Sequence, residues 1–348
     1  MFYNRVTCCN NPYLCQDVRQ LKTAIEQMNT YGREGKPFLF LLDFDLTRPK
    51  VWALEDVETG LLRYQLSDES NLENRQGGLR PDMTRSDALL QVKIPYSFHS
   101  YTKQFNRMMT ALKRGDTYLV NLTCQTAVNL TTNLDDLYNK ARAKYKLKYK
   151  DEFVCFSPET FVRIKDGVIS TCPMKGTIDA TLPDARERLL NNVKEKAEHS
   201  TVVDLLRNDL SCVASRVKVE DFRYVEEVVT DRGRLFQVSS LITGILPADY
   251  PEHIGDILVS LLPAGSVTGA PKDSTVALIK SVETYKRGYY TGVFGRFDGR
   301  NLDSAVLIRF VERTPDGWVY KSGGGITALS QLEEEYHEMQ LKVYVPIH

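Results

Sequence analysis

The stretch Ser157-Pro158-Glu159-Thr160-Phe161-Val162-Arg163-Ile164-Lys165-Asp166-Gly167-Val168-Ile169-Ser170-Thr171-Cys172-Pro173-Met174-Lys175-Gly176-Thr177 reads as a β-hairpin with a reactive group at each end. Its two halves alternate, and Asp166-Gly167 is the two-residue turn that lets antiparallel strands follow their natural twist. A hairpin brings its ends together, so Glu159 and Lys175 are expected to face each other. Lys175 lies between a proline-bounded turn and Gly176, where backbone can approach a ligand closely, and Thr177 adds a hydroxyl. Two readings of the pair are open at this level. It is an acid–base partner beside a nucleophile, or it is a structural salt bridge.

Outward from the hairpin, strands and helices alternate as in an α+β protein. Upstream, Phe38–Phe44 and Lys50–Leu54 read as strands, and the polar, glycine-containing segment Asp68–Arg85 as a loop or surface excursion. The spacing of Phe105, Met108, Met109 and Leu112 predicts a helix over Ser100–Arg114, stopped by Gly115-Asp116. Thr117–Thr123 follows as a strand and Thr132–Lys146 as a helix. Downstream, Asp184–Asn208 is largely helical and a strand-rich stretch runs to Leu246. Pro251–Leu262 and Ser274–Glu283 read as helices, Tyr289–Val311 and Trp318–Ser322 as strands, and Ser330–Lys342 as a closing helix. No linker, short repeat or low-complexity segment interrupts residues 1–348, which are read as one domain.

Bulk properties narrow the function. The 348 residues carry 45 basic and 45 acidic side chains, so no charge excess favours nucleic acid. No apolar run approaches the roughly 20 residues that span a bilayer, and the N-terminus lacks a signal-peptide core. Seven cysteines, scattered after Cys8, Cys9 and Cys15, suit a reducing cytoplasm better than a disulfide framework. Those first three could ligate a soft metal, but no later Cys/His cluster completes such a site.

Several side-chain groupings carry chemistry. Glu195 and Glu198, and again Glu335 and Glu338, have i, i+3 spacing that puts both carboxylates of a pair on one helix face. Two such faces opposed would make an all-oxygen site for Mg²⁺, and either alone reads equally as a solvated acidic face. Thr268-Gly269-Ala270-Pro271-Lys272 opens onto a helix and offers an anion seat, without P-loop spacing. Ser322-Gly323-Gly324-Gly325-Ile326 offers backbone N–H groups to a carboxylate, or is an ordinary tight turn. Arg309, in apolar Ala305–Phe310, needs a partner, either a substrate carboxylate or an internal acid. Asp204, Arg207, Asn208 and Asp209 read as a helix end braced by its own polar groups.

Taken in order, these motifs resemble the chorismate-utilising enzyme family, which includes anthranilate synthase component I, aminodeoxychorismate synthase component I, isochorismate synthase and salicylate synthase. The resemblance is carried by Ser157-Pro158-Glu159, Pro173-Met174-Lys175-Gly176-Thr177, Ala197-Glu198-His199, Asp204–Asp209, Gly265–Lys272, Ile308-Arg309, Gly323–Ile326 and Glu335-Tyr336-His337-Glu338. It spans residues 100–345, with residues 1–95 matched only weakly. It implies a single α+β domain of two orthogonally packed antiparallel sheets flanked by helices.

Within the family, Lys175 is similar to the lysine of aminodeoxychorismate synthases, where anthranilate synthases usually carry alanine. Isochorismate and salicylate formers use a water-activating lysine where this chain has Leu119. The resemblance therefore implies Mg²⁺-dependent amination of chorismate at C4. Lys175 is the implied nucleophile, its amine kept neutral by burial, and Glu159 the general acid with a raised pKa. Glu198 and Glu338 are the implied direct Mg²⁺ ligands, with Glu195 and Glu335 behind them. Tyr290, Arg309, Gly323 and Gly325 would hold the enolpyruvyl carboxylate, and Gly176, Thr177 and Thr268 line the pocket. Gln237 stands where the family commonly has histidine. Glutamine cannot transfer a proton at neutral pH, which argues against pyruvate elimination. Ammonia would come from a separate glutamine amidotransferase subunit, and 4-aminobenzoate release from a separate lyase. The competing readings are an anthranilate synthase component I with an atypical lysine, and a chorismate-binding subunit without catalysis.

Overall fold

The structure, a computed structural model, describes residues 18–67, 69–71, 89–230 and 233–347. Cys8, Cys9 and Cys15, and nearly all of the excursion expected over Asp68–Arg85, lie outside the described residues. In chain order the first half runs α1 (Val18–Arg33), β1 (Phe38–Leu42), β2 (Lys50–Ala53), β3 (Leu62–Leu66), β4 (Glu69–Ser70), β5 (Leu90–Ile94), α2 (Phe98–Arg114), β6 (Leu119–Leu130), α3 (Leu134–Lys140), β7 (Tyr145–Tyr149), β8 (Phe153–Ser157), β9 (Thr160–Lys165), β10 (Val168–Thr171) and β11 (Met174–Asp179). The second half runs α4 (Ala185–Asn191), α5 (Val193–Ser211), β12 (Ser215–Thr230), β13 (Gly233–Ile245), α6 (Ile254–Ser260), β14 (Gly269–Ala270), α7 (Lys272–Val282), β15 (Val293–Phe297), β16 (Leu302–Val306), β17 (Phe310–Thr314), β18 (Gly317–Ile326) and α8 (Leu332–Leu341).

The strands form two antiparallel sheets flanked by helices, as the α+β reading expects. One has the order β11-β13-β10-β9-β16-β15-β1-β2, with β12 paired to β13. The other has the order β14-β6-β18-β17-β8-β7-β3-β4, with β5 paired to β6. β1 shows why its sequence is apolar throughout. Phe38, Phe40 and Leu42 face a core shared with α1 and α6. Leu39 and Leu41 face a core shared with Leu147, Phe153 and Phe310 of the other sheet. Both faces are covered, so no position can be polar. A third core packs α2, α7 and α8 onto Val120, Leu122 and Ile326 of the second sheet.

Local signals explain the element ends. Ser97 caps α2 by accepting from Ser100 N, and Gly115 closes it in the left-handed region at φ 83°. The β9–β10 hairpin turns at Asp166 and Gly167, with φ of 51° and 81°. The helix expected over Thr132–Lys146 is shorter than the sequence suggested. It ends at Lys140, and Tyr145-Lys146-Leu147-Lys148-Tyr149 forms β7, whose strict alternation has period two rather than 3.6. The helix expected from Pro251 starts at Ile254, after a 3₁₀ turn over Tyr250–His253. Among the described residues no helix is long and apolar enough to cross a membrane.

Two connections matter for the site because the chain changes sheets there. Ser157-Pro158-Glu159 passes from β8 in the second sheet to β9 in the first. Leu307-Ile308-Arg309 passes from β16 in the first to β17 in the second. The crossings are laced together: Val306 N donates to Glu159 O (3.1 Å) and Phe156 N to Arg309 O (3.1 Å). Strands that switch sheets make the corners of a two-sheet packing, and here two such corners lie side by side.

Candidate active site

Glu159 and Arg309 stand at these two crossings. Arg309 was read inside a strand, but the strand stops at Val306 and Arg309 occupies the link with a left-handed φ of 55°. The conformation is uncommon for a residue with a side chain and marks the point where the backbone turns between layers. Arg309 Nε is buried and finds no hydrogen-bond partner among the described residues. The guanidinium lies over the Tyr344 ring, 5.5 Å from its centroid. An orphaned guanidinium donor in a cleft is the feature an anionic ligand satisfies.

Glu159 is shaped by its own turn. Its N–H donates to Ser157 Oγ (3.1 Å), and Ser266 Oγ donates to its carboxylate Oε1. Dehydration pushes the carboxyl above its ordinary value, opposed by the Ser266 hydrogen bond and by the charges of Lys175, Arg309 and Lys342. Of the two readings of the Glu159–Lys175 pair, the structure places a hydroxyl as Glu159's direct partner, while Lys175 acts on it through space.

Lys175 is positioned by β11, the edge strand of the first sheet. Met174 pairs with Ser239 and Lys175 with Val238, then a bulge at Gly176 (φ 72°) shifts the register so that Thr177 pairs with Gln237. The lysine reaches across the cleft to the second sheet, where a Cβ on Gly325 would lie 3.4 Å from Lys175 Nζ and 3.3 Å from Leu119 Cδ1. The Lys175 amine and the Leu119 side chain therefore both lie over Gly325.

The floor is the Gly323-Gly324-Gly325 part of β18, with Gly323 opposite Thr123 and Gly325 opposite Asn121 of β6. β17 pairs with β18 only as far as Lys321, so the glycine segment has β6 on one side and an edge without a paired strand on the other. Tyr290 is buried against Phe310. Thr268 is buried, donating its hydroxyl to Ala264 O (2.9 Å) while its carbonyl accepts from Asn121 N (2.8 Å).

Three of the four glutamates lie against the glycines of β11 and β18, and Glu198 follows Glu195 one turn along α5. A Cβ on Gly176 would lie 3.1 Å from Glu195 Oε2, at the start of α5. A Cβ on Gly324 would lie 3.6 Å from Glu335 Oε2 and 3.8 Å from Glu338 Oε1 of α8. Glu198 and Glu335 are only 9% and 4% exposed, so neither is a solvated acidic face. Among the described residues no three Asp, Glu, His or Cys side chains are already gathered as a metal centre. The donor chemistry nonetheless fits a hard cation: carboxylate oxygens on both sides of the Lys175–Gly325 contact, two of them buried. His199, beside Glu198, is committed elsewhere, with Nε2 2.7 Å from Ser240 Oγ. Burial holds its pKa down to about 4, with Arg223 and Lys175 adding to the effect.

Sequence reasoning missed three contributors. Lys342 Nζ contacts Glu338 Oε1 (2.6 Å) and donates to Gly323 O (2.9 Å), and burial lowers its pKa. Its i, i+4 spacing from Glu338 was the available signal. Ser266 carried none, being one residue of an aperiodic loop. Asp209, read as part of a self-braced helix end, instead pairs with Lys272 across the fold (2.9 Å), which also donates to Leu261 O (2.8 Å). Asp204 is braced locally, by Arg207 (2.7 Å) and by Asn208 Nδ2 (3.5 Å). The Asp209–Lys272 pair fixes the loop carrying Ser266 and Thr268 from one side.

Comparison with known proteins agrees with this geometry. The model of the chorismate binding enzyme family matches residues 26–348. A protein of Pasteurella multocida described as an uncharacterized PabA-like protein is 46% identical over 328 residues, covering 94% of this chain and 99% of its own length. The aminodeoxychorismate synthase component 1 of Escherichia coli is 33% identical over 262 residues, covering 70% of this chain and 56% of its own. The crystal structure of anthranilate synthase component I from Streptococcus pneumoniae superposes with a TM-score of 0.62 at 27% identity, over 75% of this chain and 60% of that one. A sheet crossing that carries an acid, a lysine laid on a glycine floor, and an arginine with an unpartnered Nε among the described residues thus coincide with a match along nearly the whole chain, and the chain belongs to the chorismate binding enzyme family.

Proposed function

We propose that this protein aminates chorismate at C4, giving 4-amino-4-deoxychorismate, with Lys175 as covalent nucleophile and Glu159 as general acid. The observation that carries the reading is the placement of Lys175 Nζ against Gly325, over which Leu119 also lies, in the same cleft as Glu159. Similarity to both aminodeoxychorismate synthase and anthranilate synthase leaves the choice of reaction to this lysine.

The steps follow from charge and proton placement. Chorismate carries two carboxylates. Arg309, with its orphaned Nε, would take the enolpyruvyl carboxylate together with Tyr290 and the backbone at Gly323 and Gly325. Glu195, Glu198, Glu335 and Glu338 are the residues to hold Mg²⁺, which when bound supplies positive charge for the ring carboxylate. Gly176, Thr177 and Thr268 line the ring, and Gln237, paired with Thr177, hydrogen-bonds without transferring a proton.

Glu159, its pKa raised by dehydration, gives its proton to the C4 hydroxyl, and the C4–O bond breaks with loss of water. The Lys175 nitrogen forms a bond to C2 as the ring double bonds shift, and the resulting adduct loses a proton. Ammonia next bonds to C4, the C2–N bond to Lys175 breaks with return of the double bond, and Lys175 recovers a proton. Chorismate and ammonia are consumed; 4-amino-4-deoxychorismate and water are produced. We assign the ammonia supply to a separate glutamine amidotransferase subunit and release of 4-aminobenzoate to a separate lyase, serving folate synthesis in the cytoplasm.

The test is product identification by mass spectrometry after incubating the purified chain with chorismate, ammonium and Mg²⁺. 4-Amino-4-deoxychorismate is expected. Anthranilate as product, or chorismate bound without turnover when ammonium and a glutaminase partner are both supplied, would overturn the proposal.

A further inference from the structure

The loop behind Glu159 and the strand behind the glycine floor both lead back to one buried ion pair. Arg287 Nε donates to Glu283 Oε2 (2.9 Å) and Nη2 to Glu283 Oε1 (2.7 Å), and each side chain is 2% exposed. The rest of the guanidinium is spent on neighbouring segments. Nη1 donates to Val267 O (2.8 Å) and Thr291 Oγ1 (3.4 Å), and Nη2 donates to Asn121 O (2.7 Å). All five guanidinium N–H groups are thereby committed. Glu283 Oε1 also accepts from Thr123 N (3.0 Å) and Thr123 Oγ1 (2.8 Å).

The segments reached are the ones that build the site. Val267 sits between Ser266, which holds Glu159, and Thr268. Asn121 binds Thr268 O through its own N–H and lies opposite Gly325, while Thr123 lies opposite Gly323. The ion pair therefore joins the loop behind the acid to the strand behind the glycine floor.

We infer that Arg287, clamped by Glu283, is a positioning residue that sets Ser266 on Glu159 and keeps that loop in register with the Gly323–Gly325 strand. A planar fork is needed to reach two carbonyls and a carboxylate at once, and a lysine ammonium in its place cannot do so. The kinetic consequence rests on the proposed amination, whereas the structural consequence does not.

The test compares Glu159 titration in the full-length wild type, Arg287→Lys, Ser266→Ala and the double variant, by carboxyl ¹³C NMR with Glu159→Gln identifying the resonance. The cations facing Glu159, Lys175, Arg309 and Lys342, are unchanged in all of them. Losing the Ser266 hydrogen bond removes an interaction that favours the carboxylate, so the Glu159 midpoint moves up by about one pH unit in Ser266→Ala. Arg287→Lys moves it the same way. The double variant moves no further than Ser266→Ala alone, because Arg287 acts through Ser266. A purely structural pair would lower the melting temperature of Arg287→Lys and leave the Glu159 titration at its wild-type position; that result, or additive shifts in the double variant, overturns the inference. Should Arg287→Lys not fold, Glu283→Gln, which keeps an acceptor for both Arg287 and Thr123, carries the same test with a smaller shift. If the wild type fails to aminate chorismate while the titration behaves as stated, the proposed function falls and the positioning role stands.

Discussion

Strands β11 and β18 form facing walls of the same cleft, yet they are built in opposite ways. β11 is the edge of its sheet, is broken by a bulge at Gly176, and has no fully buried residue. β18 pairs with β6 along nearly its whole length and with β17 as far as Lys321, and is buried along most of its length. The edge strand carries Lys175, a side chain that must reach, bond and let go. β18 carries three glycines just beyond its β17 pairing, whose contribution is backbone held in register by β6. An edge strand has few neighbours to resist small movements, whereas the glycine segment is held by its unbroken ladder with β6 and by the doubly paired stretch of β18 that leads into it. Reactivity on the compliant wall and anion recognition on the rigid wall is the division of labour these strands suggest.

The largest expected break of this comparison comes from the compliant wall. Lys175→Ala removes the proposed nucleophile from a strand whose pairing is made by backbone, so chorismate amination should fall by about a thousandfold or more while the protein stays folded. Rates with ammonium as donor and the unfolding midpoint in denaturant measure the two sides. A variant that retains activity would remove the covalent role.

Glu159→Gln comes next, with a loss of about 10²–10⁴-fold, the usual range for a positioned proton donor. The pH profile sharpens it. The Glu159 carboxyl is raised by dehydration and works in its protonated form, so wild-type activity should fall as pH rises through that raised value. Glutamine has no proton to lose, so the residual activity of the variant should lack this alkaline limb. A limb that persists in the variant would belong to another group.

The rigid wall should break differently. A Cβ on Gly323 would lie 2.5 Å from the Leu122 carbonyl oxygen, a backbone atom within the β6–β18 ladder that cannot step aside. Gly323→Ala should therefore cost stability, roughly 3 kcal/mol as for a severe over-packing change, read as a lower denaturation midpoint. Because that backbone also holds the carboxylate, the folded fraction should bind chorismate more weakly as well, read as a raised KM. On β11, by contrast, Lys175→Ala should cost activity with little stability.

The walls also differ in how well the sequence exposes them. The hairpin leading to β11 is legible because Asp-Gly between alternating runs specifies a turn, and closing it places Glu159 and Lys175 at one end. The glycines of β18 are visible as a motif, but their role depends on β6, about two hundred residues away, and no local pattern reports that pairing. Arg309 misled for the same reason. Its flanks are apolar because both sheets bury them, which looks like one continuous strand although the chain changes layers there. Lys342 was within reach through its helical spacing from Glu338. Ser266, and the carbonyls held by Arg287, are tertiary facts that become readable only once the two crossings are closed.

The smallest effect should come where the walls touch. A Cβ on Gly325 would meet Lys175 Nζ at 3.4 Å and Leu119 Cδ1 at 3.3 Å, tight contacts with side-chain ends rather than with backbone. Both ends can yield by a few tenths of an ångström, so Gly325→Ala should fold nearly as well as the wild type. The amine, however, would be pushed off the position from which it meets the ring. A displacement of that size should cost about tenfold in turnover, less than the hundredfold that a full ångström can cost. Leu119→Ala in the Gly325→Ala background removes one of the two obstructing atoms and should restore part of the rate. If Gly325→Ala instead lost stability as Gly323→Ala does, the floor would be uniform along its length and Lys175 would not be resting on it. If it lost nothing at all, the lysine would have more freedom than its contact with Gly325 allows, and the division between a reacting wall and a holding wall would have to be drawn elsewhere.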